Sequence, residues 1–448
     1  MATMTHAGSN TESGSDAGPG ARIRATGSAL ARILSGAAAQ CLFMTALGGV
    51  AAWASYVHVL SIHWSPLAVP GGFLIGMLLL VMGAVMTGSR THGFCLLLGW
   101  YLVALHPIAP FWNTCFADGA LAHLGWPAEG LAAMLLALPA FLAPRRWPAL
   151  GIPVAMVLDA LPWPLGVIGI SSPLLGAGAL LPGMGFLAIA WTLAFFALAA
   201  VRGKPFERYA RIAQILMFNL GIYLTVATPF PSTPIGAWGM VSHAGEVPRL
   251  TLDPFYAYQD QFKGPILAAL PEGAHLVLTP EGVDPHWNED QAFYWSNVAL
   301  AAQQRHATVL LGVYRREPGH PRTLQDGLTD LATGAFYPGR MPVPVSMWRP
   351  WARSTHGSFA MSLSRRLIPT PYGKAAYLIC YEENLLWPLA LQEMHLQVSA
   401  RPVLLLDSAN LWFARGGLGR VQRRSAHMQA RLWGLPLVRA VNHPEMRS

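Results

Sequence analysis

The second half of the chain holds a single cysteine, Cys380, in the stretch YLICYEENLLWP (Tyr377–Pro388). There an apolar, strand-like run passes straight into Glu382 and Glu383. A free thiol has a pKa of about 8.5 and attacks a carbonyl well only as thiolate. A cysteine that serves as an acyl-transfer nucleophile therefore needs a base in reach, and donors for the oxyanion of its tetrahedral intermediate. AHLVLTPEG (Ala274–Gly282) supplies a base: a short apolar run that reads as a buried strand and delivers Glu281 to its end. If the two strands are neighbours, Glu281 and Cys380 meet at one sheet edge, the usual place for a site in an α/β fold. Each residue also has a plainer reading. Cys380 would be a small buried hydrophobe, Glu281 an exposed acid at a strand end, and Glu382 and Glu383 solvated charges.

The elements around these residues alternate. Trp287–His306 has helical spacing with acids near its start, where they complement the helix dipole. Ala307–Tyr314, Ala375–Glu383 and Arg401–Asn410 read as strands, and Gly419–Gly434 as a helix ended by glycine and followed by the strand LPLVRAVN. Such alternation predicts an α/β domain with buried sheets.

The first half is of another kind. The whole chain is 53% apolar and 12% charged over 448 residues, about half the usual charged share. Between Ile33 and Pro144 the only Lys or Arg is Arg90, and the only acids are Asp118 and Glu129. Apolar runs occur at Ile33–Leu60, Leu67–Met86, Gly93–Ile108, Gly130–Ala143, Ala149–Ile170, Leu180–Val201 and Ile212–Phe230. A helix needs roughly 20 residues to cross a bilayer, so a multi-span membrane protein is expected. Basic residues fall before the first run (Arg22, Arg24, Arg32), at Arg90, at Arg145 and Arg146, and at Arg202–Arg211; the alternate loops have none. Because positive loops stay cytoplasmic, about seven spans with the N-terminus inside are predicted, and everything after Phe230 lies outside the cytoplasm. The expected organisation is a disordered tail (1–32), a membrane domain (33–230) and a periplasmic domain (231–448). A signal peptide ending near Ala52–Ala54 is the weaker alternative, since apolar character continues past that point. Asp159, inside the fifth run and followed by Pro162 and Pro164, is a candidate for substrate or helix contacts.

The net charge of +8 belongs to these loops; no nucleic-acid motif accompanies it, so no direct nucleic-acid partner is expected. No CxxC or Cys/His ligand spacing is present, so neither a metal nor an organic cofactor is implied.

LTPEG, LICYEE and SANLWF…QARLWGLPLVRAVN together resemble the nitrilase superfamily. With spans in front, the chain is similar to the bacterial apolipoprotein N-acyltransferases, and GRMPVPVSMWRPW (Gly339–Trp351) looks closest to the conjugal transfer protein TraB branch of that group. The resemblance implies an α-β-β-α sandwich, shortened at the C-terminus, behind the membrane domain. It implies Glu281 as general base, Cys380 as nucleophile and Glu382 as an acid that orients the site. The family's lysine position, four residues before the proline of RMPVP, holds Arg340. Arginine offers fixed donors for an oxyanion but does not readily exchange a proton. The three lysines, Lys204, Lys263 and Lys374, lie elsewhere, and no acid occurs between Asp330 and Glu382 where the acyltransferases carry a second glutamate. These departures speak against phospholipid-to-lipoprotein transfer, not against the fold.

Three functions are in play. The first is a membrane-bound acyltransferase or amide hydrolase working through a Cys380 thioester on a lipid or lipidated substrate, with Arg340 and backbone amides holding the oxyanion. The second is a degenerate nitrilase-like interaction module of a conjugation apparatus, favoured by the lost lysine. A transporter is third, since Asp159 is nearly alone among the spans. Trp348, Arg349 and Trp351 read as a membrane-facing lid or as ordinary packing.

Overall fold

The computed structural model describes residues 19–57, 68–116, 121–247, 252–349, 358–394, 401–414 and 417–443. Helices fill the apolar first half: α1 (Pro19–Ala52), α2 (Ala68–Met86), α3 (Arg90–Ala104), α4 (Ile108–Cys115), α5 (Gly125–Ala137), α6 (Gly151–Ala160), α7 (Ala177–Leu180), α8 (Phe186–Ala197) and α9 (Phe206–Ala227). Each of the seven apolar runs overlaps at least one of them. Among the described residues, four stretches are long and apolar enough to cross a membrane: Gly36–Tyr56, Val69–Met86, Gly125–Leu142 and Phe206–Ala227. α3 and α4 form a pair bent by 44°, and the helices at Pro148–Ala160 and Phe186–Ala200 are apolar but shorter. Of the predicted tail, residues 1–18 lie outside the described residues, and α1 begins at Pro19.

Close packing inside this bundle depends on small residues. A Cβ on Gly48 would sit 1.8 Å from the Leu96 carbonyl oxygen, and one on Gly99 would sit 1.8 Å from that of Thr45. Only glycine lets α1 and α3 touch there. α6 stops at Ala160, just before Pro162 and Pro164. Neither proline has an N–H to continue the ladder. Asp159, one residue before that end, is buried and accepts hydrogen bonds from Tyr101 and from Ser172 Oγ (2.8 Å), so it ties helices together.

The second half contains two sheets. The first orders β1 (Ala237–Gly239), β3 (Leu276–Leu278), β4 (Thr308–Glu317), β5 (His320–Asp330) and β6 (Phe336–Pro338), with β7 (Ser358–Phe359) also on β5. The second orders β2 (Val241–Ser242), β11 (Leu437–Asn442), β10 (Leu404–Asn410), β9 (Gly373–Ile379) and β8 (Ile368–Thr370). β9, β10 and β11 are parallel, and strands covered on both faces need continuous apolar runs rather than alternation. Leu404–Leu406 and Ala375–Ile379 meet that need, and Asp407, Ser408 and Asn410 continue β10 as buried polar residues. Leu276, Leu278 and Leu310 of the first sheet face Tyr377, Ile379, Leu404 and Leu406 of the second. The outer face of the first sheet packs Val277 and Val309 on α10 (Leu252–Ala269) and α12 (Ser296–Gln304), the latter preceded by α11 (Glu289–Tyr294). The outer face of the second packs Leu378 and Leu405 on α13 (Trp387–Glu393) and α14 (Leu418–Trp433). The order of layers is α-β-β-α, as expected.

The two halves share one core. Tyr381, Leu386, Trp387, Val421 and Met428 pack among the residues of the helical bundle. Past the end of α6, the carbonyls of Gly166 and Val167 have no helical partner. They accept from Trp387 Nε1 (3.1 Å) and Tyr381 Oη (2.9 Å). Ser171 N donates to the Asn384 carbonyl at 3.1 Å. Arg424 and Arg431 of α14 donate to the carbonyls of Ser55 and Thr225. A backbone group in an apolar bundle must be paired, and here the sandwich pairs it.

Candidate active site

β9 ends at Ile379 and the chain turns sharply into a short 3₁₀ turn, Cys380–Asn384. Cys380 stands at the bend with φ +47°, a conformation that costs a non-glycine residue about 1–3 kcal/mol and persists only where its surroundings enforce it. Glu382 enforces it. Its Oε2 accepts from Ile379 N (3.2 Å) and its Oε1 from Arg340 N and Met341 N, so one carboxylate clamps the bend to the Arg340 loop. Cys380, Tyr381, Glu382, Glu383 and Asn384 are all buried; neither glutamate is solvated.

Glu281 follows β3 by three residues and is buried rather than exposed. It lies within hydrogen-bonding reach of the Cys380 thiol and of Asp326. Tyr314 Oη donates to its Oε1 at 3.1 Å. The Asn410 carbonyl, at the end of β10, is 3.8 Å from Cys380 Sγ, and the Asn410 backbone also supports the charged forms of Cys380 and Glu281. Burial pushes the thiol well up, and the Glu281 carboxylate beside it pushes the same way. At rest the thiol is neutral. Burial also raises Glu281, against the hydrogen bonds it accepts.

Asp326, on β5, was not anticipated. It is buried, its carboxyl faces that of Glu281, and burial followed by the Glu281 charge holds it well above the ordinary range. No described donor reaches its Oδ1, and among the described residues neither acid has an ion-pair partner. Two carboxyls in contact without a cation retain a proton between them. Glu281 is the member that also accepts from Tyr314 Oη. HPRTLQDGLTD carries no apolar run to announce a strand; the signal available was the Pro318–Gly319 turn, which folds β5 back onto β4 as a hairpin.

Arg340 is not brought to the thiol. Its Nε donates to Ser364 O (2.9 Å), Nη1 to Tyr377 O (3.2 Å) and Glu382 Oε2 (3.4 Å), and Nη2 to Arg366 O (3.5 Å), with the guanidinium stacked 4.1 Å from the Tyr377 ring centroid. Fully buried, it has four of its five N–H groups committed to these carbonyls and to Glu382. Lys204 and Lys374 are exposed, and Lys263 Nζ donates to Tyr294 O, so no lysine takes that place either. Glu383 pairs with Arg439, which also holds Asp407 (2.7 and 2.6 Å). Trp348 is buried against Trp163, and Arg349 donates to the carbonyls of Val345 and Ser346, which is packing; Trp351 lies outside the described residues.

Cys380 also borders a cavity of about 300 Å³ between the halves. Its walls are apolar: Phe111 on α4, Leu131 and Leu135 on α5, Ile168, Val343 and Phe413. This is the low end of the range for small-molecule pockets.

No protein-family model matches the chain. It is 27% identical over 348 residues to the conjugal transfer protein TraB of Agrobacterium fabrum, covering 75% of this chain and 78% of that one. To a probable conjugal transfer protein TraB of Sinorhizobium fredii it is 28% identical over 304 residues, 64% and 71% of the two chains. Among solved structures it is similar to a mutant amidase from Nesterenkonia sp. AN1 with the acetamide moiety of fluoroacetamide added covalently at its active site cysteine. That likeness is at 18% identity, TM-score 0.33, over 48% of this chain and 79% of the amidase. A second mutant of that amidase, described as of the nitrilase superfamily, matches at 16% identity and TM-score 0.32 over 48% and 80%.

Proposed function

We propose that this chain, which resembles the TraB conjugal transfer proteins, is a membrane-embedded acyltransferase or amide hydrolase that works through a thioester on Cys380. The observation that carries the reading is the position of Cys380: strained at a bend, backed by Glu281, and open to an apolar cavity walled by the helices. The neutral thiol gives its proton to Glu281 as sulfur attacks an acyl carbonyl. Glu281 returns that proton to the leaving group, and the thioester passes its acyl group to an amine or to water. Glu382 acts as a positioning residue, and so does Arg340, whose guanidinium fixes Glu382 and the Tyr377 carbonyl. Oxyanion donors are then backbone amides at the bend. An apolar cavity suits the chain of a lipid or lipidated substrate. We place the protein in the bacterial inner membrane with the sandwich in the periplasm, serving a conjugation apparatus.

A second reading, a nitrilase-like interaction module without turnover, draws on one observation: no described cation stands beside Cys380 or the acid pair. One experiment separates the two. The full chain in detergent is treated with p-nitrophenyl octanoate, and the Cys380 peptide is followed by mass spectrometry in wild type, Cys380→Ala and Glu281→Gln. The enzyme reading expects an octanoyl adduct on Cys380 that forms about 10²–10⁴-fold more slowly in Glu281→Gln. Labelling at equal rates in those two proteins, or none in folded wild type, leaves the interaction module.

A further inference from the structure

The polar side chains along α9 are treated in two ways. Gln214 and Thr225 face the bundle and are paired there. Gln214 Nε2 donates to Phe195 O (2.9 Å), its Oε1 accepts from Arg211 Nη1 (2.8 Å), and Thr225 Oγ1 donates to Ala179 O. Asn219 lies on the other side of the helix and is exposed. Among the described residues its amide reaches only the Ile215 carbonyl, one turn back on its own helix, through Nδ2 at 2.8 Å. One N–H and the Oδ1 acceptor are left over. At about 1.5 Å of rise per residue, Asn219 stands about 20 Å along the axis from Phe206 and about 12 Å from Ala227. That is deep within a hydrocarbon layer about 30 Å thick, where water does not supply the missing partners.

The face around Asn219 is otherwise apolar. Ile212, Ile215, Ile222 and Val226 are all exposed. Read from Ile212, the five residues follow one another at steps of three, four, three and four, the a/d seam of paired helices with Asn219 at the central a position. α9 is also the least buried of the four stretches long enough to cross a membrane, at 22% against 28%, 44% and 39%. A groove of about 350 Å³ between α2 and α9, bordered by Ile215 and Asn219, runs beside the seam.

We infer that this face of α9 is an interface between two copies of the chain, joined through Asn219. The inference is independent of the chemistry at Cys380. Two copies in one membrane share an orientation, so the pair is parallel, its two-fold axis runs along the bilayer normal, and Asn219 meets Asn219 at one depth. An amide is complementary to itself: each gives its remaining N–H to the other's Oδ1, and both are satisfied. A lipid tail in the same place offers neither donor nor acceptor. The isoleucines and Val226 pack against their counterparts, and the groove gives them room.

The test is cross-linking of the full chain in vesicles of phosphatidylethanolamine and phosphatidylglycerol, oxidised with copper phenanthroline. Val226→Cys, on the seam, is expected to give a disulfide-linked dimer at least about fivefold faster than Leu220→Cys, off the seam, with wild type reporting the background of the native cysteines. Adding Asn219→Leu to Val226→Cys keeps the face apolar and should slow the cross-link about fivefold or more, while Asn219→Gln, which keeps the amide, should restore most of the rate. Thermal unfolding of each variant checks that it is folded. Equal rates at Val226→Cys and Leu220→Cys, as when the face meets lipid or another protein's helix, overturn the inference. So does a seam cross-link in folded protein that is indifferent to Asn219→Leu.

Discussion

Three groups of buried acids lie close together in the sandwich, and they differ in how much positive charge each is given. Glu382 has Arg340 to itself. Glu383 and Asp407 share Arg439. Glu281 and Asp326 have no ion-pair partner among the described residues. Burial raises Glu382 while Arg340 opposes it; Glu383 stands well up, with Arg439 opposing and Asp407 adding to the rise. Asp326 stands well up with only a backbone hydrogen bond in opposition. Glu382, matched by Arg340, holds the backbone of the bend in place. An acid pair with no cation keeps a proton instead, and a proton is what acyl transfer has to move. In the proposed reaction the arginine-bound acids belong to the scaffold of the site, and the pair without arginine to its working part.

The largest expected effect comes from breaking the matched pair. Arg340→Met leaves Glu382 buried without its cation, and thermal unfolding of the detergent-solubilised protein should show a loss of about 3–5 kcal/mol. A loss under about 1 kcal/mol would mean that Arg340 does not anchor the bend.

A smaller, pH-dependent effect is expected at the unmatched pair. An acid whose folded-state pKa lies above its unfolded value, about 3.9 for aspartate, binds its proton more tightly when folded. Stability therefore declines as pH climbs from about 4 toward the raised value. Asp326→Asn removes that decline while leaving a neutral donor for Glu281. Relative to wild type, the variant should gain stability from pH 5 to pH 8, by about 1–3 kcal/mol at the upper end. A difference between the two proteins that is flat across this range would show that the pair does not retain a proton. The smallest effect belongs to Lys374, exposed at the start of the cysteine strand. Lys374→Ala should change stability by no more than about 0.5 kcal/mol and leave octanoylation of Cys380 at the wild-type rate; slower labelling would reveal a cation recruited to the site after all.

Much of this was readable beforehand because the features are local. The apolar runs, the strand ends at Glu281 and Cys380 and the layered sandwich all follow from patterns of a few residues. Glu281 and Cys380 share no sequence neighbourhood, yet each sits at the end of a strand, and strand ends gather at a sheet edge. Arg340 was harder. Its motif position aligns it with a reactive lysine, while its direction is set by the carbonyls of Tyr377, Ser364 and Arg366, which no motif encodes. Asp326 was illegible because its strand is polar and held by a hairpin, so periodicity gave no reason to place it opposite Glu281. The apolar cavity depended on both halves at once.

The cross-bonds at Gly166, Val167 and Ser171 bear on how such a chain is inherited. Tyr381 and Trp387 donate to carbonyls that a proline break in the helices leaves open, and Asn384 accepts from the loop beyond. Donors and acceptors of the same bonds are thus encoded more than two hundred codons apart. A recombination that exchanged everything before Phe230 for a distant relative's helices would strand both sets, whatever the quality of each piece. The Cys380 bend and the loop behind it must travel through evolution together, as one gene rather than as interchangeable cassettes.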